Sequence, residues 1–366
     1  MKILHVVGAR PNFMKAAPVM AALAGRNCFK QVLAHTGQHY DSNMSAIFFI
    51  QLGLPKPDFN LGVGSGSHAT QTSQIMQKIE GVLNTEEPDV VLVYGDVNST
   101  AATALVCSKL LIPVGHVEAG LRSFDRTMPE EINRVITDQV ADLLFTPSAD
   151  ADENLLREGI ASEKIHLVGN VMIDTLVRLE RSLPDRAPII ARTASFPTAL
   201  LSERYGLVTL HRPANVDHSG ILREIMTALE EVSKDLPLIF PIHPRTRQRL
   251  HDLNIRARNS SLWLIEPVGY LEFLSLQKKA TVVITDSGGI QEETTFLGVP
   301  CLTVRENTER PITIHHGTNR LVGRDMSLLK QEIHNILNGM VKRRSIPPLW
   351  DGRAGERIAD AISAMK

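Results

Sequence analysis

The chain has 366 residues, of which 43% are hydrophobic and 22% charged, with 39 Lys and Arg against 40 Asp and Glu. A formal net charge of −1 supplies no global field for nucleic acid or an anionic membrane surface, and no stretch reaches the ~18 uninterrupted apolar residues of a membrane span. Cys28, Cys107 and Cys301 are widely spaced and lack a CxxC pair, which suggests neither a disulfide framework nor a zinc site and fits a reducing cytoplasm.

Short β-branched runs alternate with helical stretches from end to end, so the expected fold class is α/β, with parallel sheets covered on both faces. Strands are expected at residues 3–7, 31–35, 90–94, 113–117, 143–146 and 165–168, and again at 207–210, 238–242, 262–265, 281–285, 300–304 and 320–322. Two similar sets suit a length that, at about 150 residues per domain, allows two domains. Between the sets, Pro184, Pro188 and Pro197 punctuate a weakly periodic stretch. The boundary is therefore expected between residues 169 and 205, giving a first domain over 1–169 and a second over 170–351. A short helical pattern over 352–366 follows Pro347-Pro348. Ligands of open parallel sheets bind beyond the carboxyl ends of the strands, so two such sheets facing each other would enclose a central cleft.

Polar residues and glycines do cluster after the strands. Residues 8–15 turn from the first strand into a helix carrying Arg10 and Lys15; cations at a helix start suit an anion, the alternative being solvated surface charge. Asp96 and Glu118 end neighbouring strands, and Glu130 opens a helix after Pro129. Carboxylates meeting at one cleft push each other's pKa values apart and so divide acid from base, although Glu130 and Glu131 also suit a first helical turn on their own. His211 ends a strand of the second half. After residues 281–285 comes Asp286-Ser287-Gly288-Gly289, where paired glycines at a helix start read as a phosphate cradle. Glu293 follows on the same helix, placed either to accept from ribose hydroxyls or to complement the helix dipole. There is no Walker A lysine and no GxGxxG fingerprint. His243, His315 and His316 lack metal-ligand spacing, so no metal and no cofactor are expected.

Taken together, these segments resemble the non-hydrolysing UDP-N-acetylglucosamine 2-epimerases. The resemblance rests on GARPNFMKAAPV at 8–19, TGQH at 36–39, YGDVNST at 94–100, GHVEAGLRS at 115–123, PEEINR at 129–134, LHRPAN at 210–215, TDSGGIQEE at 285–293 and ERP at 309–311. It implies two Rossmann-like domains in the glycosyltransferase-B arrangement, a C-terminal helix that packs back on the first domain, and a homodimer. It also implies a UDP-sugar substrate, with Ser287, Gly288 and Gly289 at the phosphates, Glu293 at the ribose, Phe273 near the uracil and Arg310 beside the site. Arg10 and Lys15 face UDP from the first domain, and Asp96, Glu118, Glu130 and His211 match the proposed catalytic groups. The chain departs from many bacterial members at residues 40–45, where they carry a methionine- and glutamine-containing segment that helps bind an activating substrate molecule. It also departs at His243-Pro244-Arg245, and it has Val268 where some carry glutamine.

The reading that follows is epimerisation at carbon 2 through loss and return of UDP. The alternatives are a hydrolysing epimerase, an epimerase of a modified UDP-HexNAc, and a glycosyltransferase of the same architecture.

Overall fold

The computed structural model describes residues 1–26, 28–38, 49, 51–180, 183–184, 204–255, 261–342 and 344–365; Pro188 and Pro197 lie outside them. The chain forms two compact units, one of Met1–Arg178 with Pro348–Lys366 and one of Leu179–Pro347. No helix among the described residues is long and apolar enough to cross a membrane.

The first unit is built on β1 (Lys2–Val7), β2 (Lys30–His35), β3 (Phe59–Asn60), β4 (Val90–Tyr94), β5 (Val114–Val117), β6 (Leu143–Thr146) and β7 (Ile165–Leu167). They form one parallel sheet in the order β3-β2-β1-β4-β5-β6-β7. Its helices are α1 (Arg10–Ala24), α2 (His68–Glu86), α3 (Asn98–Leu110), α4 (Pro129–Val140), α5 (Ala149–Arg157) and α6 (Val171–Glu180) as far as Arg178. Central strands covered on both faces should be apolar throughout, and Val90–Tyr94 is buried at every position.

The second unit repeats the plan with β8 (Gly206–Thr209), β9 (Leu238–Pro241), β10 (Leu262–Ile265), β11 (Val282–Thr285), β12 (Cys301–Thr303) and β13 (Asn319–Leu321), ordered β10-β9-β8-β11-β12-β13. Between its strands run α7 (Pro213–Val216), α8 (Ser219–Val232), α9 (Pro244–Asp252), α10 (Tyr270–Lys279), α11 (Gly288–Leu297) and α12 (Pro311–His315), and α13 (Met326–Leu337) follows β13. Both sheets have the doubly wound order of nucleotide-binding folds, in which the strand order reverses beside the first strand. Here the reversals lie between β1 and β4 and between β8 and β11. The expected α/β class is the observed one, and every expected strand is present within a residue or two. The added strand, β3, is two residues long, too short to leave a periodic signal.

The last helix, α14 (Ala354–Ser363), packs on α1 within the first unit. Pro18 lies inside α1 and has no N–H to offer the carbonyl four residues earlier. That carbonyl, of Met14, instead accepts the Thr175 hydroxyl at 2.6 Å. Asp174, one residue before, accepts the Ala354 and Gly355 amides at 3.1 and 2.7 Å and so caps the start of α14. Gly355 itself lies so close to α1 that a Cβ would stand 2.7 Å from the Pro18 carbonyl oxygen.

Candidate active site

At the switch point of the first sheet, β4 runs into Gly95-Asp96 and β5 into Glu118. Gly95 has a φ of +63°, and a Cβ there would stand 2.5 Å from Lys15 Nζ and 3.2 Å from Glu118 Oε2. Lys15, from α1, forms a buried ion pair with Glu118. Glu118 occupies the left-handed region at φ +75°, costly for a residue with a side chain; its amide and that of Ala119 both donate to the Phe145 carbonyl at 3.0 Å. Asp96 pairs with Arg134 of α4 at 2.5 Å. Arg134 in turn donates to Glu131 through Nε at 3.0 Å and Nη2 at 2.6 Å. Burial alone would raise the Glu131 carboxyl, but the Ser123 amide and Arg134 hold it below the usual carboxylate range.

Asp96, Glu118 and Lys15 thus gather around Gly95. Arg10 and Glu130 are exposed at the starts of their helices, and no ion pair or side-chain hydrogen bond of Glu130 is formed among the described residues. The start of α1 is less open to an anion than the sequence implies. The Gly8 and Ala9 amides both donate to Asn12 Oδ1 at 3.0 Å, and Pro11 has no amide hydrogen.

The second switch point is organised around Asp286, the residue after β11, which is fully buried. It accepts the Arg212 amide at 2.9 Å, the His211 amide at 3.1 Å and Asn215 Nδ2 at 3.0 Å, and its Oδ1 lies 3.2 Å from His211 Nδ1. Burial pushes its pKa up, yet His211, Arg212 and Asn215 bring it below the usual range. A carboxylate on Nδ1 orients the ring and leaves Nε2 as the outward nitrogen.

Ser287 precedes and Gly288 and Gly289 open α11; the Ser287 amide donates to Thr285 Oγ1 at 3.0 Å, and since the Ser287 side chain does not cap the helix, the Gly288 and Gly289 amides stand where helix geometry provides no acceptor. Gly288 is needed for a further reason: a Cβ there would stand 2.4 Å from Arg310 Nη1. Arg310 lies over the helix start, buried and paired with Glu292 at 2.8 Å and Glu309 at 2.5 Å. Burial would raise Glu309, but Arg310, Arg305 and Arg212 hold it far below the usual range. Glu293 is buried and accepts the Tyr270 hydroxyl at 2.8 Å; burial pushes its carboxyl up to about 7. Phe273, half-buried, packs with Val268 against the apolar cluster that includes Tyr205, Leu207 and Ile239. His243 lies 5.7 Å from His211, ring to ring, and burial, His211 and Arg245 lower its pKa. His39 and the segment 40–45 lie outside the described residues.

Sequence reasoning left Arg134, Glu131 and Asp286 out of the site. Asp286 carried a usable signal, since it directly follows a strand at a glycine turn. Arg134 shares a helical face with Glu130 and Glu131, at spacings of four and three, but which of the two glutamates turns inward was not legible.

The description "UDP-N-acetylglucosamine 2-epimerase" belongs to the family model that matches residues 21–363. A Methanococcus maripaludis protein named UDP-N-acetylglucosamine 2-epimerase is 45% identical over 372 residues, covering 100% of this chain and 99% of that one. A Pseudomonas aeruginosa protein named UDP-2,3-diacetamido-2,3-dideoxy-D-glucuronate 2-epimerase is 42% identical, covering 100% of each. The crystal structure of Methanocaldococcus jannaschii UDP-GlcNAc 2-epimerase in complex with UDP-GlcNAc and UDP superposes with a TM-score of 0.87 at 45% identity, covering 100% of both chains. By the extent of these matches, the chain belongs to the UDP-N-acetylglucosamine 2-epimerase family.

Proposed function

We propose that the protein interconverts UDP-N-acetylglucosamine and UDP-N-acetylmannosamine without net hydrolysis, as a cytoplasmic homodimer needing neither NAD nor an added metal. The observation that carries this reading is the division of labour between the switch points. One gathers the carboxylates Asp96 and Glu118, each oriented by a cation, whereas the other presents an uncapped helix start beside Arg310 and a buried carboxylate suited to ribose.

The hydrogen on carbon 2 is not next to a carbonyl carbon and is weakly acidic. Breaking the bond from carbon 1 to the diphosphate first, with the electron pair leaving on UDP, gives an oxocarbenium-like sugar. A carboxylate then takes the carbon 2 proton, and the C–H pair becomes the double bond of 2-acetamidoglucal. The α11 start and Arg310 stabilise charge on the departing diphosphate, and His211, oriented by Asp286, is the further candidate for that charge. Return of a proton to the opposite face and of the diphosphate to carbon 1 completes the 2-epimer. Asp96, Glu118 and Glu130 are the acid–base candidates. Phe273 and Glu293 hold the uracil and ribose, and Lys15 positions Glu118.

The Pseudomonas relative favours a second reading, in which the sugar is a diacetamido glucuronate. Incubating the protein with UDP-GlcNAc, and separately with the diacetamido UDP-sugar, and following products by NMR tests both. Appearance of the UDP-ManNAc anomeric signal, with UDP and free sugar at trace levels, supports the proposal. Stoichiometric free ManNAc and UDP, or activity lost to chelator and restored by metal, overturns it. Turnover of the diacetamido sugar alone transfers the proposal to that substrate.

A further inference from the structure

Beneath the two carboxylates lies a buried polar cluster with no part in the chemistry just described. His116, in β5, is fully buried. Its Nδ1 lies 2.6 Å from Asp138 Oδ1, and its Nε2 lies 2.8 Å from the Gly95 carbonyl oxygen. The carbonyl can only accept. Asp138, also fully buried, already receives the Gly120 amide at 3.1 Å and Arg122 Nη1 at 2.7 Å on its other oxygen. With a backbone amide and the Arg122 guanidinium both donating to Oδ2, Asp138 is held as a carboxylate, so it too acts as acceptor. A ring whose two nitrogens both face acceptors must carry hydrogen on both. A bare ring nitrogen here would point its lone pair at another lone pair, with no water between them. The cluster still balances: Arg122 also pairs with Glu158, through Nε at 2.8 Å and Nη2 at 2.7 Å, so two cations meet two carboxylates.

The attachment points give the cluster its meaning. Gly95 is the residue before Asp96, and Gly120 follows Glu118 by two. The imidazole and Asp138 therefore tie the peptide that presents one carboxylate to the turn that presents the other. Glu118 adopts a φ of +75°, a conformation that for a residue with a side chain persists only where the surroundings over-determine it; Gly120, at +79°, takes it without strain, and a Cβ there would stand 2.5 Å from the Ala151 carbonyl oxygen. Asn154 Nδ2 fixes the Gly120 carbonyl from the far side at 3.0 Å.

We propose that His116, as a buried imidazolium paired with Asp138, is a positioning residue that fixes the spacing of Asp96 and Glu118. This rests on the proposed catalytic role of those two carboxylates. His116 touches no substrate; it acts through Gly95 and, by way of Asp138, through Gly120.

The test uses the full-length protein labelled with 15N at histidine. Long-range 1H–15N correlation at neutral pH, with His116 assigned by the signals missing from His116→Gln, should show both of its ring nitrogens protonated. In Asp138→Asn one of them should become unprotonated. A misplacement of about 1 Å at reacting groups costs on the order of 10²-fold in rate. Both variants should therefore lose about that much kcat on UDP-GlcNAc while KM stays within about threefold. An unprotonated ring nitrogen on His116 in the wild type overturns the proposal, as does kcat within about threefold of wild type in either variant. If His116→Gln does not fold, assignment passes to single substitutions of the other histidines, and Asp138→Asn supplies the kinetics. A wild type that epimerises neither UDP-sugar overturns the functional reading and with it the purpose of the clamp, whereas the NMR spectrum still reports the imidazole separately.

Discussion

Replacing Gly95 by alanine adds one methyl group at the most crowded point of the first switch point. Two costs can be worked from the structure. The φ of +63° places any side chain in the left-handed region, at about 1–2 kcal/mol. The new Cβ would stand 2.5 Å from Lys15 Nζ, nearer than real Cβ atoms come. Lys15 is buried and ion-paired with Glu118, so it cannot swing into solvent, and overpacking of this kind costs about 1–3 kcal/mol. Together the loss is about 2–5 kcal/mol, which in a unit of this size lowers the melting temperature by about 4–20 °C. Turnover should fall by about 10²-fold or more, because Asp96 and Glu118 both shift when the lysine is displaced. Gly81→Ala is the control. Gly81 is exposed within α2, has no neighbour within 4 Å of a new Cβ and no positive φ, so alanine there should stabilise by about 0.5–1 kcal/mol. Thermal unfolding and initial rates of the two variants side by side decide the matter. A Gly95→Ala protein that melts within about 2 °C of wild type and turns over normally refutes the packing argument.

Three further outcomes follow. Asp96→Asn, Glu118→Gln and Glu130→Gln should each slow epimerisation about 10²–10⁴-fold while UDP binding, read by calorimetry, survives; a near-normal rate removes that residue from the proton-transfer set, and Glu130, exposed and unpaired among the described residues, is the most demanding of the three. Glu293 is raised from 4.5 to about 7 in the folded protein, so between those values the folded state binds the extra proton and this group's contribution to stability is lost as pH rises; the melting temperature of Glu293→Gln should gain on wild type across that window, and a constant difference would contradict it. Activation by UDP-GlcNAc should be weak, since residues 40–45 and His243-Pro244-Arg245 depart from the bacterial pattern; an obligatory need for a trace of UDP-GlcNAc when starting from UDP-ManNAc would count against this.

The fold was legible because parallel strands announce themselves twice, by apolar runs such as Val90–Tyr94 and by the glycines and polar residues directly after them. The same logic located Asp96, Glu118, His211 and residues 287–289, all of which stand at the two switch points. Ion pairing was another matter. Lys15 read as a cation for a phosphate, but in the structure it is buried against Glu118, a partner 103 residues away. Nothing in local spacing reports a pair of that separation; it depends on α1 and β5 meeting at the same end of the sheet.

Helix α4 shows why the supporting residues were the hardest to find. The face a helix buries is normally its apolar stripe, and a reader of the sequence searches for that stripe. In α4 the buried positions are Glu131, Arg134, Thr137 and Asp138, which keep helical spacing but reverse the usual chemistry. Two of them are committed to the carboxylates: Arg134 to Asp96 directly, and Asp138 to the Gly95 and Gly120 turns through His116 and its own second oxygen. Glu131 completes the set by holding Arg134 and accepting the Ser123 and Phe124 amides, so the segment leading into α4 is fixed by the same charges. A helix that would otherwise bury a hydrophobic stripe instead buries a hydrogen-bonded one. Such networks stabilise only when every member is satisfied, and for that reason single substitutions along this stripe should disturb the carboxylates more than equally buried apolar changes elsewhere in the first unit.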